Sequence, residues 1–342
     1  HYGEYTNDQI SLVHRRLSII DLSTNSNQPM IDEKTGNVLI FNGEIYNFEE
    51  LRNDIIKISN KNIFKSRGDS EVILIGYRIY GLKKLLEKLE GMFAFSIWDE
   101  KNKLLHIARD RLGEKPLFYT RDKYGGIIFS STVKSLISIP NVKENLQIDE
   151  TSIDQYLSFN YLLFEKTFFK GISLLQPGCY LTFDRLTKDK LEEKAYWKIE
   201  NCFRNKRYKD LSFKDAKEKF SHLMKNSLKK RVHSDVTIGT YLSGGIDSSI
   251  ISLNLKNISN QKMLAHNISF NEKKYDETKY AEYISKTVNH DLKIYSMPSP
   301  KEISLDFSEI VEAMDQPMAD TAFISNFYLS KFPLLPLLFL LQ

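Results

Sequence analysis

The stretch Ser243-Gly244-Gly245-Ile246-Asp247-Ser248-Ser249 carries the strongest indication of fold in this chain. It follows Val236–Leu242, an apolar-leaning run of strand length, and precedes the helix-like segment Ile250–Ile258. Glycines let a ligand approach backbone N–H groups because no Cβ intervenes, and a helix N-terminus carries partial positive charge. The pattern therefore predicts a strand–loop–helix unit with an anion-binding loop. The plainer interpretation is a serine-capped helix after a glycine turn.

The loop differs from the mononucleotide P-loop, because no G-x-x-x-x-G-K-[ST] pattern occurs and no lysine follows Gly244 and Gly245. Its S-G-G-x-D-S form resembles the pyrophosphate loop of ATP pyrophosphatases, which cleave ATP between its α and β phosphates. The resemblance implies ATP and Mg²⁺ as ligands. Asp247 would hold Mg²⁺ against the pyrophosphate, and hydroxyls would bind phosphate oxygens at Ser243, Ser248 and Ser249.

Alternating elements surround this loop. Lys214–Arg231 has a helical pattern before it, and Met263–Phe270 and Glu277–Val288 follow it as a second strand and helix. Such alternation is typical of a parallel, doubly wound sheet, in which ligands bind at the carboxyl ends of the strands.

Composition narrows the class of protein. The 342 residues suffice for two domains, and 42% hydrophobic with 27% charged residues is ordinary for a soluble globular chain. A formal charge of +4 and scattered lysines do not favour a nucleic-acid partner. The two cysteines, Cys179 and Cys202, form neither a disulfide framework nor a zinc site. No apolar run is long enough for a membrane span, so we expect a cytoplasmic protein.

The N-terminal half has an α+β pattern of short antiparallel strands and helices. Asn42-Gly43 is predicted to form a tight turn, and Asp69 or Ser70 to cap a helix over Glu71–Leu86. Arg109-Asp110-Arg111 is consistent with a surface ion-pair cluster at a strand end. The other predicted elements are strands at Leu12–Ile20, Val38–Phe41, Met92–Asp99, Leu104–Arg109, Leu117–Thr120 and Ile127–Ser131, and a helix at Phe48–Ile58.

Five motifs in this half, followed by S-G-G-I-D-S-S, resemble those of the glutamine-hydrolysing asparagine synthetases. They are H-R-R-L-S-I-I-D, F-N-G-E-I-Y-N, G-D-S-E-V-I-L, G-M-F-A-F-S-I-W-D and R-D-R-L-G-E-K-P-L, in that order, and the resemblance runs from about Leu12 to about Lys331. It implies a four-layer αββα sandwich of the N-terminal-nucleophile hydrolase type, followed by an α/β ATP-pyrophosphatase domain with a parallel sheet. We expect a glutaminase domain at 1–185, a connection at 186–211, a partial synthetase domain at 212–331 and an aberrant apolar tail at 332–342.

The resemblance also implies a glutamine site in the first domain. Arg16 would pair with the α-carboxylate of glutamine, and Glu44 and Asp69 would accept hydrogen bonds from its α-ammonium group. The Asn42 amide and the Gly43 N–H would form the oxyanion hole. Backbone groups would complete the pocket at Leu17, Ser18, Ile19 and Ile20.

In the second domain the resemblance implies adenine contacts from the backbone of Leu242 and Ile268. The family forms an aspartyl-adenylate, which ammonia from glutamine then converts to asparagine. The implied partners are therefore glutamine, aspartate and ATP, with a homodimer possible and neither nucleic acid nor a membrane involved.

The sequence departs from the family pattern at two places. The family's nucleophile is an N-terminal cysteine, which no residue of this chain replaces, since Cys179 falls at a turn into a strand. The acidic loop S-G-[DE]-G-x-D-E does not follow Asp315–Asp320, because the chain turns into a leucine-proline run after Lys331. We therefore expect an inactive fragment of an asparagine synthetase. The alternatives are an amidotransferase that acts on a sugar carboxylate in surface-polysaccharide synthesis, and a non-catalytic remnant.

Overall fold

The computed structural model describes residues 1–187, 191, 193–203, 210–258 and 262–331, together with the backbone of 338–341. The chain divides into two compact units, residues 1–205 and 206–342. The predicted connection at 186–211 and the predicted apolar tail at 332–342 lie partly outside the described residues.

The first unit combines short strands with helices on its surface. Its strands are β1 (Tyr2–Thr6), β2 (Ser11–Arg15), β3 (Met30–Ile31), β4 (Val38–Ile45), β5 (Gly91–Asp99), β6 (Leu104–Arg109), β7 (Phe118–Arg121), β8 (Ile127–Ser130), β9 (Ser173–Leu174), β10 (Cys179–Asp184) and β11 (Glu193–Ala195). Its helices are α1 (Phe48–Ser59), α2 (Ser70–Tyr80), α3 (Leu82–Lys88), α4 (Val133–Ile137), α5 (Pro140–Lys143), α6 (Glu150–Phe159) and α7 (Glu200–Phe203), with a 3₁₀ turn at Thr24–Ser26.

A six-stranded antiparallel sheet lies at the centre of this unit, in the order β11-β10-β6-β5-β4-β3. One face is covered by α1, α2 and α3. Helix α1 presents Phe48, Leu51 and Ile55 at helical spacing, and they pack with Leu39 and Phe41 of β4 in one buried cluster. Alternation along β4 thus sends every second side chain into this helix-covered core.

The opposite face of the sheet packs on a second, three-stranded sheet in the order β8-β7-β9. Val38 and Trp98 of the large sheet share a buried cluster with Leu117 and Leu175 beside the small sheet. Helices α4 and α5 cover the outer face of the small sheet through Val133, Leu136 and Val142. Two sheets between two helical layers confirm the predicted αββα sandwich.

The second unit is an α/β domain. Its strands are β12 (Thr237–Tyr241), β13 (Leu264–Ser269), β14 (Asp291–Ser296) and β15 (Leu338–Leu341), and its helices are α8 (Phe213–Arg231), α9 (Ile246–Ile258), α10 (Thr278–Val288), α11 (Pro300–Ala313) and α12 (Ala322–Lys331). The strands form a parallel sheet in the order β14-β13-β12-β15, which confirms the predicted parallel sheet. Residues 338–341 belong to the predicted apolar tail, and here they pair with β12.

Three local predictions were wrong. The strand predicted over Leu12–Ile20 ends at Arg15. The single helix predicted over Glu71–Leu86 is broken at Gly81, whose φ of +72° no helix accommodates. Asn42 and Gly43 form no turn, because both lie inside the continuous strand β4 and pair with Ala94 and Phe93.

The helices offer no candidate for a transmembrane segment. Throughout the described part of the chain, none is both long enough and apolar enough to cross a bilayer.

Candidate functional site

Gly43 occupies the most constrained backbone position in the first unit's candidate site. A Cβ built on Gly43 would lie 2.1 Å from the carbonyl oxygen of Met92 and 2.7 Å from Cα of Phe93. The glycine therefore permits a close approach of β4 to β5, which is the physical reason that the turn prediction failed. Asn42 precedes it on the same strand and lines a cleft of about 880 Å³ between the two sheets.

Arg16 organises the segment that follows β2. Its guanidinium donates hydrogen bonds to the carbonyl oxygens of Ile20 (3.0 Å) and Asp21 through Nη2, and to Ser23 (3.3 Å) and the Asn27 side chain (3.4 Å) through Nη1. Burial lowers the pKa of Arg16, and the carboxylates of Asp21 and Asp69 act in the opposite direction. An arginine with these neighbours is a partly desolvated cation held in one place.

The four residues predicted to complete the glutamine pocket follow Arg16 directly. Ile20 is buried in the helix-covered core, Ser18 and Ile19 are half-buried, and Leu17 is 78% exposed. Backbone groups of this segment are therefore placed beside Arg16, while the Leu17 side chain points to solvent.

Asp69 connects the start of α2 to the end of β4. It occupies the predicted N-cap position, but its side chain makes no capping hydrogen bond and instead accepts one from the Ile45 N–H at 2.9 Å. Burial raises the pKa of Asp69 to about 6, although the Ile45 bond and Arg16 favour ionisation. Glu44, the neighbour of Ile45, is also buried. The structure thus places Arg16 close enough to Asp69 for their charges to interact, at the end of β4, the strand that also carries Glu44.

Asp21 is a site residue to which sequence reasoning gave no role. Its carboxylate accepts hydrogen bonds from the Ser23 N–H (3.0 Å), the Ser26 hydroxyl (2.8 Å) and the Arg67 N–H (2.7 Å). Burial opposes its ionisation, but these hydrogen bonds lower the pKa of Asp21 well below its usual range. Asp21 thereby ties the Arg16 loop to the loop before Asp69. In the sequence, the available sign of this role was that Asp21 is an acidic residue at the end of an apolar segment.

The prediction of a surface ion-pair cluster at Arg109–Asp110 was wrong, because both side chains are buried and bonded to backbone groups. Arg109 donates to the carbonyl oxygens of Lys115 and Leu175, both at 2.7 Å. Asp110 is 0% exposed, and its carboxylate accepts from the Phe93 N–H at 3.2 Å. Phe93 on β5 pairs with Gly43 on β4. The hydrogen bond to Asp110 therefore fixes β5 beside the candidate oxyanion residues.

The cysteines do not join this site. Cys179 begins β10 and packs against the core between the sheets, and burial raises the pKa of its thiol. Cys202 is exposed on α7. A thiol with a raised pKa is a poor nucleophile at neutral pH.

In the second unit, the predicted loop joins the carboxyl end of β12 to the start of α9. Gly244 has φ +89°, and a Cβ there would lie 2.6 Å from backbone N of Ala281 in α10. The Ser243 hydroxyl accepts from the Gly245 N–H at 3.2 Å and lies 3.0 Å from the Ser248 hydroxyl. The chain thus builds the predicted strand–loop–helix unit, with first-turn N–H groups of α9 that lack intrahelical acceptors.

The side chains of this loop differ in accessibility. Ser243 and Asp247 are exposed, Ser248 is half-buried and Ser249 is buried in the helix. Leu242 is buried with its N–H bonded to the His266 carbonyl at 2.9 Å, and Ile268 lies near the end of the neighbouring strand β13. The exposed polar side chains of the loop are therefore those of Ser243 and Asp247.

The donor set is compatible with Mg²⁺ held together with phosphate. Among the described residues, no group of three or more His, Cys, Asp or Glu side chains forms a metal cage. Mg²⁺ commonly uses only one or two carboxylates and completes its shell with water and substrate phosphates. The exposed carboxylate of Asp247 beside the predicted anion-binding loop fits that mode of binding.

Family models cover most of the chain. Residues 1–197 match the model described as a glutamine amidotransferase domain, and residues 219–332 match the model described as asparagine synthase. Together with the αββα sandwich and the parallel sheet, these matches define a glutamine amidotransferase domain followed by an asparagine synthase domain. The chain belongs to the family of glutamine-hydrolysing asparagine synthetases.

Curated relatives agree with this placement. Asparagine synthetase [glutamine-hydrolyzing] 1 of Bacillus subtilis is 32% identical over 336 residues, which cover 96% of this chain and 49% of the relative. Asparagine synthetase [glutamine-hydrolyzing] 2 of the same organism is 30% identical, with coverage of 96% and 44%. A putative asparagine synthetase of Methanocaldococcus jannaschii is 29% identical, with coverage of 96% and 64%. The chain spans about half the length of the two Bacillus relatives.

Proposed function

We propose that this chain provides the glutamine-binding and ATP-binding sites for glutamine-dependent synthesis of asparagine from aspartate. The observation that carries the proposal is the proximity of Arg16 and Asp69 at the end of β4, the strand that also carries Asn42, Gly43 and Glu44. A cation and a carboxylate that lie close together match the opposite charges of an amino acid's α-groups. The names of the relatives support aspartate as the acceptor.

Arg16 would bind the glutamine α-carboxylate by exchanging some of its carbonyl partners for carboxylate oxygens. Guanidinium–carboxylate hydrogen bonds are stronger than those to neutral carbonyls, so the exchange favours the bound state. Asp69 would accept from the α-ammonium group in its ionised form. The side-chain amide of Asn42 and the N–H of Gly43 would stabilise the oxyanion that forms when the carboxamide is attacked.

None of the described residues is assigned the role of nucleophile in glutamine hydrolysis. Arg16, Asp69, Asn42 and Gly43 receive only binding and oxyanion roles, which do not depend on the identity of the attacking group. Glutamine binding can therefore be measured separately from glutamine hydrolysis.

The loop after β12 would bind the pyrophosphate part of ATP through backbone N–H groups and the hydroxyls of Ser243 and Ser248. The β-carboxylate of aspartate would attack the α-phosphorus, releasing pyrophosphate and giving an aspartyl-adenylate. Ammonia would then displace AMP, which is a far better leaving group than a carboxylate oxygen. Mg²⁺ held by Asp247 would neutralise charge on the pyrophosphate.

Calorimetric titration with glutamine tests the first site. We expect Arg16→Ala to weaken binding at least about tenfold, because a charge-assisted pair contributes roughly 1.5–3 kcal/mol. Arg15→Ala is the matched control, since Arg15 is an adjacent exposed arginine at the end of β2. Equal glutamine affinity in Arg16→Ala and the wild type would contradict the glutamine site.

Titration with ATP, with and without Mg²⁺, tests the second site. We expect Asp247→Asn to abolish the strengthening of ATP binding by Mg²⁺. Glu218→Gln removes one negative charge from an exposed position of α8 and serves as the control. A Mg²⁺ effect that persists in Asp247→Asn would remove the metal role.

A further inference from the structure

Asn267 is a polar side chain buried inside the second unit, where it makes hydrogen bonds in two directions. It lies on β13 with 3% of its surface exposed. Its Nδ2 donates to the carbonyl oxygen of Leu242 at 2.9 Å, and its Oδ1 accepts from the Thr278 hydroxyl at 3.0 Å. A buried amide with a partner on each side is held in a single orientation.

These two bonds connect three segments that are distant in sequence. Leu242 is the last residue before the Ser243–Ser249 loop, and Thr278 is the first residue of α10. The Thr278 hydroxyl shares its single hydrogen between Oδ1 of Asn267 and Oδ1 of Asp276, which is 2.6 Å away, and the Asp276 carboxylate accepts from the Phe270 N–H at 3.3 Å. The chain of bonds therefore runs from the nucleotide loop, through β13, to the start of α10.

Packing reinforces the same connection. A Cβ on Gly244 would lie 2.6 Å from Cβ of Tyr280 as well as 2.6 Å from backbone N of Ala281, so the loop rests directly on the first turn of α10. This packing contact holds the loop on the turn without the Asn267 side chain. Thr278, at the beginning of this turn, is held by Asn267 and by Asp276.

We infer that Asn267 and Thr278 are positioning residues that set the adenosine end of the nucleotide site. The inference rests on the proposed ATP site, in which Leu242 and Ile268 contact adenine. Asn267 is bonded to the carbonyl of Leu242 and is the chain neighbour of Ile268, so with the bond between the Leu242 N–H and the His266 carbonyl it fixes the separation between Leu242 and Ile268. Neither Asn267 nor Thr278 needs to touch the nucleotide to have this effect.

The variants Asn267→Ala and Thr278→Val test the inference. We expect each to raise the Kd of ATP with Mg²⁺ by about 3- to 10-fold, which corresponds to the loss of one or two ordinary hydrogen bonds. Thr278→Ser keeps the hydroxyl and should restore the wild-type Kd. The matched control is Thr287→Val on the same helix, where the hydroxyl donates to the Tyr283 carbonyl at 2.8 Å.

A second measurement separates positioning from general destabilisation. We expect Asn267→Ala to raise the Kd of adenosine monophosphate by a similar factor and to change the Kd of inorganic pyrophosphate less than twofold. Thermal unfolding of each variant is followed alongside. Equal losses of affinity for both ligands, or a lowered Tm with unchanged ATP affinity, would show a merely structural role and overturn the inference.

The two proposals fail in different ways. A wild-type chain that binds no ATP would contradict the proposed function and, with it, the inference. A wild-type chain that binds ATP with Mg²⁺, together with Asn267→Ala and Thr278→Val variants that bind it equally well, would overturn the inference alone.

Discussion

The two candidate sites use glycine for opposite purposes. At Gly43 a side chain is excluded by the backbone of the neighbouring strand, with the Met92 carbonyl oxygen 2.1 Å from the Cβ position. At Gly245 the nearest contact of a Cβ would be the flexible Ser243 hydroxyl at 3.3 Å. The first glycine is required for the sheet to form, and the second leaves open space at a helix N-terminus. The candidate glutamine site is therefore coupled to the stability of its unit at Gly43, whereas the candidate nucleotide loop is coupled to its unit at Gly244, which packs on α10, and not at Gly245.

The substitution of each glycine by alanine is the most direct test of this contrast. We expect Gly43→Ala to destabilise the first unit by about 3 kcal/mol or more, because backbone atoms must shift to admit the methyl group. Gly245→Ala should change the stability of the second unit by less than about 1 kcal/mol.

Urea unfolding checks both values in the same molecule. The two tryptophans, Trp98 and Trp197, lie in the first unit, so fluorescence reports that unit, and far-UV circular dichroism reports both. Similar changes in stability for the two variants would contradict the contrast.

Acid should destabilise the first unit through a buried histidine. His106 lies between the Tyr77 hydroxyl (3.1 Å) and the Thr182 hydroxyl (2.9 Å), and burial lowers its pKa to about 4. The unfolded chain takes up this proton near pH 6.5 and the folded chain does not, so stability falls as the pH decreases from 6.5 to 4. The full loss is about 3 kcal/mol, from 1.36 kcal/mol for each pKa unit.

The measurement is urea unfolding by tryptophan fluorescence between pH 7 and 4. His106→Gln should flatten the upper part of this pH profile. An unchanged slope in that variant would assign the acid sensitivity to other groups, of which Asp99 is the nearest, since it bonds to the same Tyr77 hydroxyl at 2.7 Å.

Glutamine binding should depend on pH through Asp69. Because burial raises the pKa of Asp69 to about 6, the carboxylate becomes protonated below that pH and no longer attracts an ammonium group. We expect the affinity for glutamine to be constant above pH 7 and to fall by up to about tenfold for each pH unit below 6. Calorimetry across this range gives the profile. Asp69→Asn should bind weakly at every pH, and a persistent pH dependence in that variant would point to another group.

The smallest stability effect is expected in the nucleotide loop. Ser248 is half-buried, and its hydroxyl bonds to the Gly245 carbonyl oxygen at 3.2 Å. Ser248→Ala should change the free energy of unfolding of the second unit by no more than about 0.5 kcal/mol, yet raise the Kd of ATP. A large loss of stability would show that Ser248 is as constrained as Gly43 in the candidate glutamine site.

Much of the fold could be predicted from short-range pattern. The strand over Leu104–Arg109 and the helix over Phe48–Ile58 agree with the structure to within one residue, because their apolar periods are regular. Errors occurred where a residue had two local interpretations. Gly81 ends a helix inside an apolar run, and Asn42-Gly43 has the composition of a hairpin turn but lies within a strand.

The sequence by itself determined the strand–loop–helix unit at Ser243–Ser249, because a glycine loop and the following helix depend on residues that are adjacent in the chain. Only the tertiary structure decided that Arg16 and Asp69 lie together, that Arg109–Asp110 is buried, and that Asn267 joins Leu242 to Thr278. Each of these arrangements rests on contacts between residues distant in sequence, and a short-range pattern does not record the partner of a buried polar group. Its hydrogen bonds are set by the packing of whole strands and helices.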